Sequence, residues 1–173
     1  MKKILSLLLA ISVIPMMLLS TTNNVYAQEN ATDHLPKFFA IQHAQSGSLS
    51  KINDTAYSLE LNEVSDKTIL FSDRPDRIVT SVNTSNFIGN WSVGKNSYTV
   101  DAPNAVLVVD EQEGQQDVAI IELFNPIYDS TNKALKYDVT PDNATFIDLP
   151  SEFGQSTIVI DTDLQTHHKI DGN

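Results

Sequence analysis

The sequence predicts an all-β, mainly antiparallel protein: a single-domain sandwich or barrel of about 7–9 short strands with one short helix near residues 84–93. Two observations support this fold class. Between Phe38 and Thr162, short apolar runs alternate with clusters of Gly, Pro, Asn, Asp and Ser, as in proteins built from many short strands. Helical periodicity is scarce in the same stretch.

The first half of this stretch predicts four strands. The first covers residues 37–44 and is followed by a turn at 46–48, where Ser-Gly-Ser stands. In 56–61, apolar and polar residues alternate with a period of two, which places one face inward and one in water. Further strands are predicted at 67–71 and 77–82.

The second half contains longer apolar runs. Residues 104–109 and 118–124 are continuously apolar, which predicts central strands with both faces covered. The acidic segment 110–117 between them contains a glycine and suits a hairpin connection. Residues 135–139 alternate again, and 157–160 form a last β-branched run.

One short helix is predicted between the two halves. Thr84 or Ser85 can cap its amino end, because a hydroxyl at this position can accept a bond from a free backbone N–H group. Phe87 and Trp91 are spaced to share one helical face. The helix is expected to end near Gly94.

The amino terminus has the three parts of a secretory signal peptide. Lys2 and Lys3 are basic, residues 4–19 are mostly apolar, and small residues lead to a cleavage point after Ala27. A retained anchor is the alternative, but a stable span needs about 20 apolar residues and Pro15 interrupts this run. The sequence therefore predicts a secreted or cell-surface protein that does not insert into the membrane after cleavage.

Four segments are expected along the chain. Residues 1–27 are the signal peptide, 28–36 a flexible amino-terminal segment, 37–163 the β-rich domain and 164–173 a disordered tail. The chain has no cysteine, so the domain is expected to be held by its core and hydrogen bonds alone.

The chain is strongly acidic. It has 22 acidic and 11 basic residues and a net charge of −11, which becomes −13 when Lys2 and Lys3 leave with the signal. Such a charge repels nucleic acid and anionic lipid headgroups, so neither is expected as a partner.

The densest cluster of charge lies around Pro75, between two predicted strands. One interpretation is an ion-paired structural corner; the other is a pocket for an anion or carboxylate, because arginine binds such groups through two parallel hydrogen bonds. The candidate residues for the corner or ligand site are Asp73, Arg74, Asp76, Arg77 and Trp91.

These residues also carry a resemblance. The motif Phe-Ser-Asp-Arg-Pro-X-Arg at Phe71–Arg77, followed by Phe87, Trp91 and the run at 103–107, resembles a family of small exported prokaryotic proteins of uncharacterised function. The match covers roughly residues 38–124. The resemblance implies export and a shared β-rich fold, and it transfers no catalytic residue.

No metal site or cofactor is expected. His167 and His168 are weak metal candidates, because adjacent side chains on an extended tail point in opposite directions and cannot share one ion. The sequence contains no Gly-X-Ser-X-Gly elbow, no His-Glu-X-X-His pair and no glycine-rich phosphate loop.

Five asparagines begin an Asn-X-Ser/Thr triplet without proline in the middle, which makes the exported chain a candidate glycoprotein. They are Asn30, Asn53, Asn83, Asn90 and Asn143.

Two functions remain open. The first is a non-catalytic binding or interaction protein outside the cell, with an unidentified ligand or protein partner. The second is an extracellular hydrolase that acts on a saccharide or peptide through unidentified carboxylates. The missing enzyme motifs favour the first.

Overall fold

A computed structural model describes residues 36–110, 116–141 and 149–162 of the chain. The chain divides into two compact units, and the second, Leu35–Asn173, contains all of these residues. The described residues form one all-antiparallel β domain with one short helix, which confirms the predicted fold class. The predicted signal peptide and tail lie outside the described residues, as do Asn30, Asn143, His167 and His168.

The described elements number ten strands and one helix. In chain order they are β1 (Phe38–Ala44), β2 (Ser46–Lys51), β3 (Tyr57–Asn62), β4 (Lys67–Ser72), β5 (Val79–Asn83), α1 (Thr84–Gly89), β6 (Asn104–Asp110), β7 (Gln116–Asp129), β8 (Ala134–Pro141), β9 (Glu152–Phe153) and β10 (Ser156–Thr162).

The ten strands form one sheet in the order β5-β4-β1-β10-β6-β7-β8-β3-β2-β9. Gln45 alone separates β1 from β2 along the chain. Because β1 pairs with β10 and β2 pairs with β3, the hydrogen bonds run from β1 through β10, β6, β7, β8 and β3 back to β2. The sheet therefore closes into a ring, and β4 and β5 extend it beside β1. Of the two predicted architectures, this pairing matches the barrel.

Alternation along the strands produces an inner and an outer face. β1 and β10 each alternate strictly between buried and half-buried residues, as a period of two requires. The inner face is filled mainly by aliphatic side chains from every strand except β5, which form one core. Its fully buried members include Leu59, Leu107, Ile121, Val139 and Ile160.

The turn predicted at residues 46–48 is wrong, because these residues begin β2. A glycine is needed at position 47, because the Phe153 ring and the backbone of Glu60 lie close to it. A Cβ atom at this position would lie 2.4 Å from Cε2 of Phe153 and 2.9 Å from the carbonyl oxygen of Glu60. The glycine thus lets the Phe153 ring of β9 pack directly on the backbone of β2.

The prediction that residues 104–109 and 118–124 have both faces covered is also wrong. Val106, Val118 and Ile120 are 36%, 50% and 38% exposed. A closed antiparallel sheet buries only its inner face, so every second residue of these apolar runs points outward.

Helix α1 ends earlier than predicted and has a different cap. Asn83 is the N-cap residue and makes no side-chain cap bond, so the predicted cap from Thr84 or Ser85 is wrong. Thr84 is instead the first helical residue, and its hydroxyl donates to the carbonyl oxygen of Ser65 at 2.8 Å. Within the described part of the chain, no helix is long and apolar enough to span a bilayer.

A chain of hydrogen bonds crosses the core. The Tyr137 hydroxyl donates to Oε1 of Gln42 at 2.8 Å, and Nε2 of Gln42 donates to the Thr68 hydroxyl at 3.4 Å. The Thr68 and Thr84 hydroxyl oxygens lie 3.1 Å apart, and the Thr84 hydroxyl donates to the carbonyl oxygen of Ser65. Because Thr84 donates to the carbonyl, Thr68 is the donor to Thr84. This core hydrogen-bond chain links β8, β1, β4 and α1.

Alanine at Gly47 is expected to lower the free energy of unfolding by about 1–3 kcal/mol, because the added methyl group must displace the Phe153 ring or the backbone of β3. The matched control is Gly89→Ala in α1, where nothing lies within 4 Å of the new methyl group and alanine favours the helix by up to about 1 kcal/mol. Urea unfolding of both variants is the measurement. Equal stability of Gly47→Ala and the natural chain would contradict the close approach.

Burial raises the pKa of Tyr137 well above its ordinary value, although the bond to Gln42 partly opposes the shift. The folded chain therefore keeps a proton that the unfolded chain releases near pH 10, so folding stability falls as pH rises above about 10. Tyr137→Phe should lose about 1–3 kcal/mol at pH 8, because Oε1 of Gln42 is left unpaired.

The difference between Tyr137→Phe and the natural chain should shrink above about pH 10, since phenylalanine has no proton to lose. Urea unfolding at a series of pH values measures both stabilities. Parallel stability curves for the two chains across this range would show that Tyr137 ionises without cost in the folded state.

Candidate interaction surface

Residues Asp73–Ile78 connect β4 to β5 and are named here the arginine loop. Its ends are closed by Ser72, whose N–H group donates to the carbonyl oxygen of Ile78 and whose hydroxyl accepts from the Ile78 N–H group, both at 2.9 Å. The N–H group of Arg77 donates to the carbonyl oxygen of Asp73 at 3.1 Å. Arg77 has a φ of 52°, which excludes it from the strand predicted at 77–82. Backbone bonds and one hydroxyl therefore define this loop.

The arginine side chains do not take part in that framework. Asp73, Arg74 and Arg77 are exposed, and Asp76 is half-buried. The ion pairs formed within residues 36–110, 116–141 and 149–162 include neither arginine. Both guanidinium groups are thus accessible to a binding partner.

Trp91 lies in the core, outside the arginine loop. Its ring is 5% exposed and packs in an aromatic cluster, with ring centroids 4.7 Å from Tyr98, 5.6 Å from Tyr137 and 6.3 Å from Phe87. Aromatic pairs at these distances stabilise the interior. Trp91 therefore joins α1 to the inner face of the sheet.

Ten apolar side chains occupy the outer face of five neighbouring strands and of β5 at the edge. They are named here the outer apolar band. Its members are Phe39, Ile41, Ile69, Phe71, Val79, Val106, Val108, Val118, Ile120 and Val159.

The centre of the outer apolar band is one continuous row. Ile69 pairs with Ile41, Ile41 with Val159, Val159 with Val106, and Val106 with Ile120. Each pair lies directly opposite across two adjacent strands, so the five side chains follow one another from β4 to β7. No polar residue interrupts the row.

Two shorter rows flank the central row. On one side Val79 pairs with Phe71 and Phe71 with Phe39, whose rings stack with centroids 5.3 Å apart. On the other side Val108 pairs with Val118. Three rows on strands about 4.8 Å apart cover roughly 500 Å².

Several members of the band are strongly exposed: Val79 by 75%, Val118 by 50% and Ile69 by 44%. The largest apolar patch on a typical monomer covers about 300–600 Å² and is often functional. The outer apolar band falls in that size range and is therefore the candidate interaction site among the described residues.

Charged residues border both ends of the band: two arginines and two aspartates in the arginine loop at one end, and two carboxylates at the other. At the β5 end, Phe71 and Val79 are the residues that flank Ser72 and the arginine loop, so the loop adjoins the band. At the β7 end stand Glu122 and Asp138, both half-buried, on neighbouring strands. Glu122 accepts a side-chain hydrogen bond from Thr140 at 3.1 Å, and Asp138 accepts one from Asn125 at 2.9 Å.

The interior offers uncharged polar groups. The buried polar residues of the described chain are Gln, Ser and Thr. Among the described residues, no three His, Asp or Glu side chains converge in a way that could hold a metal ion.

Three of the five glycosylation candidates lie on the described surface, and all three are exposed. Oδ1 of Asn53 accepts bonds from the N–H groups of Thr55 and Ala56 in a tight turn, and Oδ1 of Asn83 accepts from Nζ of Lys67 at 2.8 Å. Asn90 follows α1 as its C-cap residue. Modification of these side chains stays a prediction.

No protein-family model matches this chain, and no curated protein or solved structure is significantly similar to it. The resemblance of Phe71–Arg77 and its surroundings to small exported prokaryotic proteins therefore stays a prediction.

Sequence reasoning identified the arginine loop and missed the outer apolar band. The sequence signal for the band was present in the two continuous apolar runs at 104–109 and 118–124. In an antiparallel sheet with one buried face, such runs must expose half of their side chains. The alignment of Ile69, Ile41 and Val159 with these runs depends on the strand order.

Proposed function

We propose that this protein is a secreted or cell-surface interaction protein without catalytic activity, and that it binds a protein partner through the outer apolar band and the adjoining arginine loop. The observation that carries the proposal is the uninterrupted row from Ile69 to Ile120 on the solvent side of the sheet. Exposed apolar surface of this extent is stabilised when a partner removes it from water.

The environment of Asp129 does not suit the acid of a hydrolase. A hydrolase of saccharides or peptides needs a carboxylic acid whose pKa is raised by burial or by a second carboxylate. The pKa of Asp129 is instead lowered, first by a hydrogen bond from the Asn132 side chain and then by backbone bonds from Asn132 and Thr131. These bonds belong to the turn between β7 and β8.

The class of partner follows from the charge and the surface. The net charge of −11 disfavours nucleic acid and anionic lipid. An apolar centre with charged groups at its border matches the general plan of a protein interface. We therefore infer an extracellular protein as the partner.

The proposal predicts where an apolar dye binds. At a protein concentration of about 1 µM, 1-anilinonaphthalene-8-sulfonate should fluoresce on the folded chain, and the variant Val106→Thr/Val118→Thr/Ile120→Thr should reduce the signal several-fold, because three outward apolar groups become polar. Threonine keeps the β-branched shape that the strands favour.

The control variant is Val100→Thr/Ile127→Thr, which changes two side chains that are 73% and 66% exposed and lie off the band. It should keep most of the dye signal. Equal loss of signal in both variants, or no dye binding by the folded chain, would refute the outer apolar band as an interaction site.

Export predicts the mass of the mature chain. Protein recovered outside the cell should begin at Gln28, as the signal peptide pattern requires. Intact-mass spectrometry before and after deglycosylation measures both the cleavage point and any glycan. A full-length chain held in the membrane fraction would contradict export with cleavage, and a mass equal to the bare mature chain would exclude glycan.

A further inference from the structure

We propose that two copies of this chain bind edge to edge through antiparallel β5 strands, around a two-fold axis that passes beside Ser81 and stands perpendicular to the sheet. The contact is made by the backbone of an edge strand, so it does not depend on the partner proposed for the outer apolar band. Three features of β5 support it: free backbone groups, the lack of any blocking feature, and the lack of charge.

One side of β5 has no strand beside it among the described residues. β5 stands at the end of the strand order, next to β4. The carbonyl oxygen of Ile78 and the N–H group of Thr84 both bond to the β4 side. Because backbone groups alternate between the two sides of an antiparallel strand, the N–H groups of Val79, Ser81 and Asn83 point to the free side. The carbonyl groups of Val79 and Ser81 point the same way.

The described residues of β5 lack the features with which edge strands usually avoid pairing, namely charged side chains, proline, bulges and a covering element. β5 has the sequence Val-Thr-Ser-Val-Asn and pairs with β4 without a register shift. Helix α1 packs against β4, β5 and β7 and buries Phe87, so it lies towards the core and not over the free edge. Every residue of β5 is exposed or half-buried. The edge is therefore open to another strand.

Two β5 strands are complementary when they run antiparallel around Ser81. In this register Ser81 lies opposite Ser81 of the second copy, and each N–H group donates to the carbonyl oxygen of the other. Val79 lies opposite Asn83 of the second copy, where the Asn83 N–H group meets the Val79 carbonyl oxygen. The strand thus pairs with its own copy over its full length, as a two-fold contact requires.

The surroundings of β5 allow two acidic chains to approach. Residues 78–94 contain no Asp, Glu, Lys or Arg, although the whole chain has a net charge of −11. At each end of the paired strands, the arginine loop of one copy lies near Asp66 and Lys67 of the other, which adjoin the end of β5. Both sides of this contact carry both signs of charge, so pairing does not oppose two like-charged surfaces.

Pairing of this kind joins the two sheets. An axis perpendicular to the sheet leaves the outer faces of both copies on the same side, so β4 and β5 of one copy continue into β5 and β4 of the second. The two outer apolar bands then lie side by side, with Val79 of each copy next to the contact. The dimer would present both bands to one partner.

Sedimentation equilibrium of the mature chain from about 5 to about 500 µM measures the dimer dissociation constant. Five residues give a contact about 17 Å long, smaller than the roughly 800 Å² per partner of a standard interface, so a constant of about 10–300 µM is expected. The protein used should show no glycan by intact mass, because a glycan on Asn83 would cover one end of β5.

Charge at the centre of the contact tests the axis. Ser81→Lys and Ser81→Glu each place two like charges directly opposite one another, so each variant alone should raise the dissociation constant at least about tenfold. An equimolar mixture of the two should form a heterodimer at least as tight as the natural dimer. Ser81 is exposed, so the urea midpoints should stay close to that of the natural chain.

The matched controls are Ser130→Lys and Ser130→Glu, which change an exposed serine in the turn between β7 and β8. Alone and mixed, they should stay within about twofold of the natural dissociation constant. Amide hydrogen exchange gives a second readout. The Ser81 N–H group should exchange several-fold more slowly at about 500 µM than at about 5 µM, whereas that of Thr80, which faces β4, should be protected at both concentrations.

A natural chain that stays monomeric at about 500 µM would overturn the edge pairing, as would Ser81 charge variants that do not recover when mixed. A dimer that dissociates in Val106→Thr/Val118→Thr/Ile120→Thr would also overturn it, because these residues lie off the β5 edge. Dye binding by the folded chain does not depend on any of these outcomes, so this inference and the proposed function fail separately.

Discussion

The core hydrogen-bond chain from Tyr137 to the Ser65 carbonyl is the constraint on which the rest of this structure depends. Gln42, Thr68, Thr84 and Tyr137 are each 0–2% exposed, so water cannot replace a lost bond. A buried polar group without a partner costs about 1–3 kcal/mol. The observed arrangement of β1, β4, β8 and α1 satisfies these groups together, so the chain constrains both the strand alignment and the helix position.

The strand register that places the buried side chains also determines which side chains lie on the outer face of the sheet. Side chains alternate along a strand, so a slip of one residue would exchange the two faces. Because Gln42 must point inward to reach Thr68 and Tyr137, its neighbours Ile41 and His43 must point outward. The outer apolar band is therefore fixed by the same bonds that fix the core, although no member of the band belongs to the core.

In the arginine loop, the backbone and the Ser72 hydroxyl hold the shape, and the arginine side chains are left exposed. Its shape is held by bonds of Ser72, Asp73, Arg77 and Ile78 that need no guanidinium group. This leaves two cations exposed on a strongly acidic chain, next to an apolar surface. Charges in such a position contribute little to folding but can orient a partner, because the partner's carboxylates gain an opposite charge on contact.

The sequence alone determined the fold class, most of the strands and the arginine loop. The alternation at 56–61 corresponds to β3, because a period of two depends on neighbouring residues only. The turn around Pro75 is likewise local chemistry.

The tertiary structure alone decided the closure of the ring, the role of Gly47 and the outer apolar band. Closure depends on pairs such as Phe38 with Thr162, which are far apart in the chain. The role of Gly47 depends on Phe153, which is far away in the chain and pairs with it in the sheet. The band exists only because β4, β1, β10, β6 and β7 are neighbours in space, and the local patterns of five separate segments do not record their order.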